Sequence, residues 1–118
     1  MTDISDEDAK LLTLARGARL RAYAPYSGVK AGAAVRDVDG RTYVAATVEN
    51  ALPALTTTAL RGAVVAAASS GARAFEGAAL VSDGEPSEDD LTVLREFGTG
   101  VVLLVAGPDG VVRDRRTS

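Results

Sequence analysis

The sequence predicts an α/β sandwich, a mixed five-stranded sheet with helices covering its faces. Three observations carry this expectation. Hydrophobic residues make up 47% of 118 residues, enough to build a core in a chain the length of one domain, residues 1–118. Stretches of helical apolar spacing alternate with strand-like runs. Aromatic residues make up only 4%, so alanine, valine and leucine must fill the interior, and such small side chains let helices lie close on a sheet.

Each element has a local reason. Ser5 to Asp8 reads S-x-x-D, a capping pattern that should open a helix running to about Tyr23. Leu11, Leu14, Ala15, Ala18 and Ala22 give it one apolar face, and Pro25 should end it. Tyr26 to Lys30 reads as a turn flexing at Gly28, and Ala31 to Val35 as a strand. Asp39-Gly40 is a hairpin signal leading into a return strand, Thr42 to Val48. An irregular link containing Pro53 follows. Thr56 or Thr57 should cap the next helix, which runs to about Ser70 and stops at Gly71. That helix is apolar nearly all round, so burial on more than one side is expected.

Gly77 to Val81 is a short apolar strand, and Ser82 to Pro86 a loop. Ser87-Glu88-Asp89-Asp90 repeats S-x-x-D and should open a helix to about Phe97. Gly100 to Ala106 carries Val-Val-Leu-Leu-Val, a strand buried on both faces. Gly107-Pro108-Asp109-Gly110 turns it into a last short strand at Val111 to Arg113, and residues 113–118 read as a flexible tail.

Charge and composition exclude several function classes. A net charge of -3 argues against nucleic acid as a partner. The one basic cluster, Arg113, Arg115 and Arg116, is interrupted by Asp114 and reads as solvated. With no cysteine, there is neither a disulfide framework nor a thiol nucleophile. No apolar run approaches the ~20 residues that span a bilayer. The acidic start is unlike a signal peptide, so a cytoplasmic location is expected.

Four segments in matching order carry a family resemblance. They are Ala22-Tyr23-Ala24-Pro25-Tyr26-Ser27-Gly28, Gly32-Ala33-Ala34, Asp39-Gly40 and Val48-Glu49-Asn50-Ala51. Over roughly residues 8 to 106 the chain resembles the free-nucleoside cytidine deaminases. The resemblance implies a three-layer α/β/α sandwich, a homo-oligomer (dimer or tetramer) and a zinc site at two helix starts. There, three cysteines hold the metal and a glutamate shuttles protons. Zinc lowers the pKa of bound water to about 7, which supplies hydroxide for attack on a ring carbon.

The positions that match those groups are Thr58 and Leu60, in Thr58-Ala59-Leu60-Arg61, and Ser87 and Asp90, in Pro86-Ser87-Glu88-Asp89-Asp90. Hydroxyls are poor zinc ligands, one carboxylate does not make a tetrahedral site, and leucine transfers no proton. The expectation is therefore no metal, no cofactor and no catalytic residue, with the old site filled and capped. The acids at 83, 85 and 88–90 read as a solvated helix start, where carboxylates are favoured anyway, in preference to a magnesium site.

For ligand binding, the resemblance points to Val29, Thr47, Glu49, Asn50 and Arg61. The family grips ribose with Asn-x-Glu-Asn, which here reads Thr47-Val48-Glu49-Asn50, and Val29 stands where an aromatic packs on the base. Each has a plain structural reading too. Glu49 and Asn50 can satisfy backbone donors, and Arg61 can be an ordinary helix arginine. The leading expectation is a non-catalytic homologue acting through self-association or protein binding. A module that binds nucleoside weakly without chemistry is the second, and a working cytidine deaminase the third.

Overall fold

The computed structural model describes residues 4–118. Helix α1 (Asp6–Arg19) starts where Ser5 Oγ accepts the Asp8 amide at 3.1 Å, as the S-x-x-D pattern predicts. Strands β1 (Ala31–Asp37) and β2 (Thr42–Ala46) form the expected hairpin, and Gly40 supplies the positive φ of 87° that its turn needs. A short 3-10 turn, Pro53–Leu55, precedes helix α2 (Ala59–Ser69). Strand β3 (Phe75–Ser82), helix α3 (Glu88–Arg95), and strands β4 (Val102–Ala106) and β5 (Val112–Thr117) complete the order.

The five strands form one sheet in the order β2-β1-β3-β4-β5. Only β3 and β4 pair in parallel, joined through α3; the other neighbours are antiparallel. The period-two alternation of the strands divides the core into two halves. Ala33, Val35, Ala78, Leu80, Leu103 and Val105 pack with the α2 and α3 side chains Leu60, Val64, Leu91 and Leu94. Their neighbours Ala34, Ala79, Val81 and Leu104 pack with Leu11, Leu12 and Ala15 of α1. The architecture is therefore three layers, with α1 on one face and α2 and α3 on the other. Helix α1 sits so close to β1 that a Cβ on Gly32 would lie 2.1 Å from the Ala15 carbonyl oxygen.

Four sequence expectations need correction. Helix α1 ends at Arg19, well before Pro25, because the Tyr23 backbone is drawn to the end of β2. The Tyr23 amide donates to the Thr47 carbonyl, and the Glu49 amide donates to the Tyr23 carbonyl, both at 2.8 Å. The cap of α2 is Thr58, not Thr56 or Thr57. Thr57 is held in an antiparallel bridge with Val48, and the Thr56 hydroxyl accepts the Asn50 amide at 3.1 Å. Helix α2 is buried on one face, through Ala59, Leu60, Ala63, Val64 and Ala67, rather than on more than one side, and Val65 is 58% exposed. Residues 113–118 are not a tail. Residues 112–117 pair with β4 as an edge strand, and Ser118 bonds back to Val101 and Gly98.

Candidate functional site at the starts of two helices

Helices α2 and α3 begin side by side, beyond the end of β3. Both starts are capped by hydroxyls: Thr58 Oγ1 accepts the Arg61 amide at 3.3 Å, and Ser87 Oγ accepts the Asp90 amide at 3.1 Å. A complete capping box would turn the Asp90 carboxylate back to the Ser87 backbone. It turns instead to the other helix, where the Thr58 hydroxyl donates to Asp90 Oδ1 at 2.6 Å. One side-chain bond thus ties the two helix starts together. Asp90 is only 5% exposed.

Thr58 and Asp90 form one end of a cleft of about 220 Å³. Val29, Ala31 and Leu80 supply apolar wall, while Ser27, Thr47, Glu49, Ser82 and Glu85 supply polar rim. Ser27 and Glu49 also border an adjoining cleft of about 410 Å³, which Tyr26, Asn50, Ala51, Pro53 and Thr56 complete. The two clefts therefore meet across the Ser27–Glu49 pair.

Glu49 holds that junction. Its Oε1 accepts the amides of Tyr26 at 2.9 Å and Ser27 at 3.2 Å, and its Oε2 accepts the Ser27 hydroxyl. The Ser27 hydroxyl, then the Tyr26 amide, hold the Glu49 carboxyl below its ordinary value of 4.5, against burial, which raises it. The charged form of Glu49 thus fixes the turn between α1 and β1 against the end of β2.

The far rim is fixed by Arg113 of β5. Its guanidinium pairs with Glu85 and donates to the carbonyls of Ser82 and Gly84. Arg19 of α1 adds an ion pair to Asp83 at 3.2 Å. The loop that enters α3 is therefore clasped from two sides. The sequence reading took Arg113 for a solvated residue and missed this role. Its only local signal was an arginine placed a few residues past a Gly-Pro-Asp-Gly turn, as a returning strand would require.

The structure brings together some of the sequence-derived candidates and separates others. Thr58, Asp90, Glu49, Thr47 and Val29 line one cleft, and Asn50 lines its neighbour. Asn50 is also committed to its own loop, with Oδ1 accepting the Leu52 amide at 2.9 Å. Thr47 is turned partly to backbone, its hydroxyl 3.4 Å from the Ala31 carbonyl. Leu60 lies wholly in the core, Ser87 serves as a cap, and Arg61 is exposed; none of the three lines either cleft. Ser27 and Ser82 are among the lining residues that sequence reasoning did not single out as site candidates.

The family resemblance implies a zinc ion at these helix starts. Zinc takes thiolate, imidazole or carboxylate ligands in tetrahedral sets, and the chain has no cysteine and no histidine. Thr58 and Ser87 each spend an oxygen on a helix amide, and the Thr58 proton is given to Asp90. Among the described residues, no group of three or more carboxylates is placed to hold a metal ion. These residues do not fit zinc.

Comparison with known proteins places this architecture. A family profile described as "Cytidine deaminase-like" matches residues 4–110. The chain belongs to the cytidine deaminase-like family. It is 40% identical, over 95 residues, to a protein of Sporosarcina psychrophila named cytidine deaminase, spanning 77% of this chain and 70% of that one. Crystal structures of two cytidine deaminases superpose well. That from Burkholderia pseudomallei gives a TM-score of 0.86 at 30% identity, covering 97% of this chain and 93% of its own. That from Mycobacterium tuberculosis gives 0.76 at 31%, covering 94% and 90%.

These similarities overturn the leading sequence expectation of a non-catalytic homologue with a structural or regulatory role. That expectation rested on single positions at the helix starts. The relatives are named as cytidine deaminases, and the likeness to them covers most of the chain.

Proposed function

We propose that this protein takes a pyrimidine nucleoside of the cytidine type in its paired clefts, and that its reaction is hydrolytic deamination of cytidine or deoxycytidine. The observation that carries this reading is the 40% identity to a named cytidine deaminase over most of the chain. The arrangement of the clefts supports it. The smaller cleft, with its Val29 and Leu80 walls, suits a flat ring; the larger one, beyond Glu49 and Asn50, suits a hydroxyl-bearing sugar.

Zinc has no part in this proposal, because the donor set does not fit it, and no step is routed through a metal. Cytidine and water must yield uridine and ammonia. The chain's own groups at the base end are Asp90, a carboxylate able to accept a proton from water, and Thr58, which holds it in place. Glu49 and Ser27 orient the nucleoside between the clefts.

Ammonia release coupled to a dehydrogenase, with chelator present, tests the reading. Uridine and ammonia formed in equal amounts support it. Saturable nucleoside binding with no uridine removes the hydrolytic part, and no binding removes the whole. Metal analysis of chelator-free protein should find no stoichiometric zinc; one zinc per chain would refute the metal-free site.

Self-association as a dimer or tetramer belongs to the same proposal. Val48, Leu52, Leu55 and Val65 are each more than half exposed, and such apolar surface favours a partner. A monomer mass by light scattering at micromolar concentration would remove it. No helix among the described residues is long and apolar enough to cross a membrane, and the proposed location is the cytoplasm.

A further inference from the structure

We infer that Asp90 selects the amino-bearing pyrimidine over its keto product; this deepens the nucleoside reading above and rests on it. Asp90 is 95% shielded, and it lines the base-sized cleft. Its orientation is fixed from both sides: its amide is held by Ser87 Oγ at 3.1 Å, and its Oδ1 by the Thr58 hydroxyl at 2.6 Å. A carboxylate offers about four acceptor sites, and the Thr58 hydroxyl occupies one of them.

Proton donors are scarce around it. The Ser27 hydroxyl gives its proton to Glu49, the Thr47 hydroxyl to the Ala31 carbonyl, and the Thr58 hydroxyl to Asp90 itself. The remaining lining side chains are apolar, are the acceptors Glu49 and Glu85, or are Ser82, whose hydroxyl accepts the Gly84 amide at 2.9 Å and keeps one proton to give. At Asp90 the cleft therefore presents a fixed acceptor and asks for a donor. Cytosine carries an N4 amino donor, whereas a pyrimidine with a 4-keto oxygen carries an acceptor at the same place. A keto oxygen against Asp90 would leave two acceptors facing each other out of water, the arrangement that sites built for a donor reject.

The consequence for turnover is direct. Loss of the amino group converts the edge that Asp90 holds into one that it repels, so the product is weakened at the group where the substrate was gripped. In the family reading that position would belong to a ligand of an electrophile. Here it is an acceptor that reads the leaving group.

Calorimetry on the intact protein tests this with three ligands, namely cytidine, uridine and N4,N4-dimethylcytidine, with the recovered base checked by chromatography. Cytidine should bind at least about tenfold more tightly than uridine. The dimethyl analogue, which has no N4 hydrogen, should fall with uridine. Asp90→Asn, which keeps an oxygen for Thr58 and adds an amide donor, should collapse or invert the preference; a merely structural role would lower the melting temperature and leave the ratio alone. Equal binding of cytidine and uridine by the unaltered protein would overturn the inference while leaving the nucleoside site standing. So would dimethylcytidine binding as well as cytidine, or an unchanged ratio in Asp90→Asn. If none of the three ligands binds, the nucleoside reading itself fails and takes the inference with it. The dimethyl comparison decides the matter even where the variant does not fold.

Discussion

Leu60 decides whether the cleft extends beneath the first turn of α2 or ends at Thr58 and Ala59. Its side chain has no exposed surface, lies in the larger half of the core, and does not line the cleft. Leu60→Ala removes buried methyl groups and leaves a cavity, and should cost about 3–4 kcal/mol. That is a large share of the roughly 5–15 kcal/mol that holds a domain of this kind together. Leu60→Glu fills more of the space but carries a carboxylate into the same dry surroundings. Position 60 is the second residue of α2, where the helix dipole repays at most about 1 kcal/mol. An unpaired buried charge costs more than that, so Leu60→Glu should be less stable than Leu60→Ala by about 1–3 kcal/mol near neutral pH. Burial raises the folded-state pKa of such a glutamate, so its penalty is present above the unfolded value of about 4.3 and shrinks as pH falls toward it. Urea unfolding of both variants at about pH 8 and about pH 5 measures the gap and its narrowing. Leu60→Glu proving as stable as Leu60→Ala at the higher pH would refute the reasoning, because the position would then open to water in the cleft.

Gly32→Ala should unfold the protein or cost at least about 3 kcal/mol, since the new Cβ would meet backbone at 2.1 Å and 2.3 Å, at Ala15 and Arg19, rather than a side chain that could move; thermal melting checks it. Arg113→Ala should lose about 1–2 kcal/mol, the scale of charge-assisted hydrogen bonds on a half-exposed side chain, and should weaken cytidine binding by calorimetry as the Ser82–Glu85 rim loosens. A melting temperature and affinity both equal to the parent's would show that the rim does not depend on the clasp. Glu49 is held below its ordinary value of 4.5 by the Ser27 hydroxyl and the Tyr26 amide. Its contribution to stability is therefore full above that value and lost as pH falls through the lower folded one. Melting temperature followed from about pH 7 down to about pH 3 should show this loss in the parent and not in Glu49→Gln. Parallel profiles would mean that the turn does not rely on the charge.

What could be read from the sequence was mostly local. Ser5 and Ser87 cap their helices as the S-x-x-D spacing implies, and Asp39-Gly40 turns its hairpin. Leu103 to Ala106 are buried, as an unbroken apolar run suggests, while Val102 is 40% exposed. Errors arose where a distant partner decided between local options. Three threonines in a row offer equal caps, and only the bridge between Val48 and Thr57 leaves the role to Thr58. Arg113 to Arg116 look like a solvated tail because an edge strand can afford charges on its open side; pairing with β4 is a long-range event that the local pattern does not announce.

The candidate site divides along the same line. The family resemblance pointed to positions 58, 87 and 90 as candidates, but it described the site only by what it was expected to lack. Local reading assigned Asp90 to a capping pattern with Ser87. The carboxylate instead crosses to Thr58, 32 residues earlier, and no spacing rule joins the two. That bond changes the question put to the cleft. A metal ligand would act on a base by withdrawing electrons through the ion, whereas a fixed acceptor acts by requiring a donor. The two behaviours separate experimentally, because chelator sensitivity reports the first and the N4-hydrogen requirement reports the second. Recognition of the amino group can therefore be measured whether turnover proves fast, slow or absent, and the Thr58–Asp90 pair is judged by ligand preference rather than by rate alone.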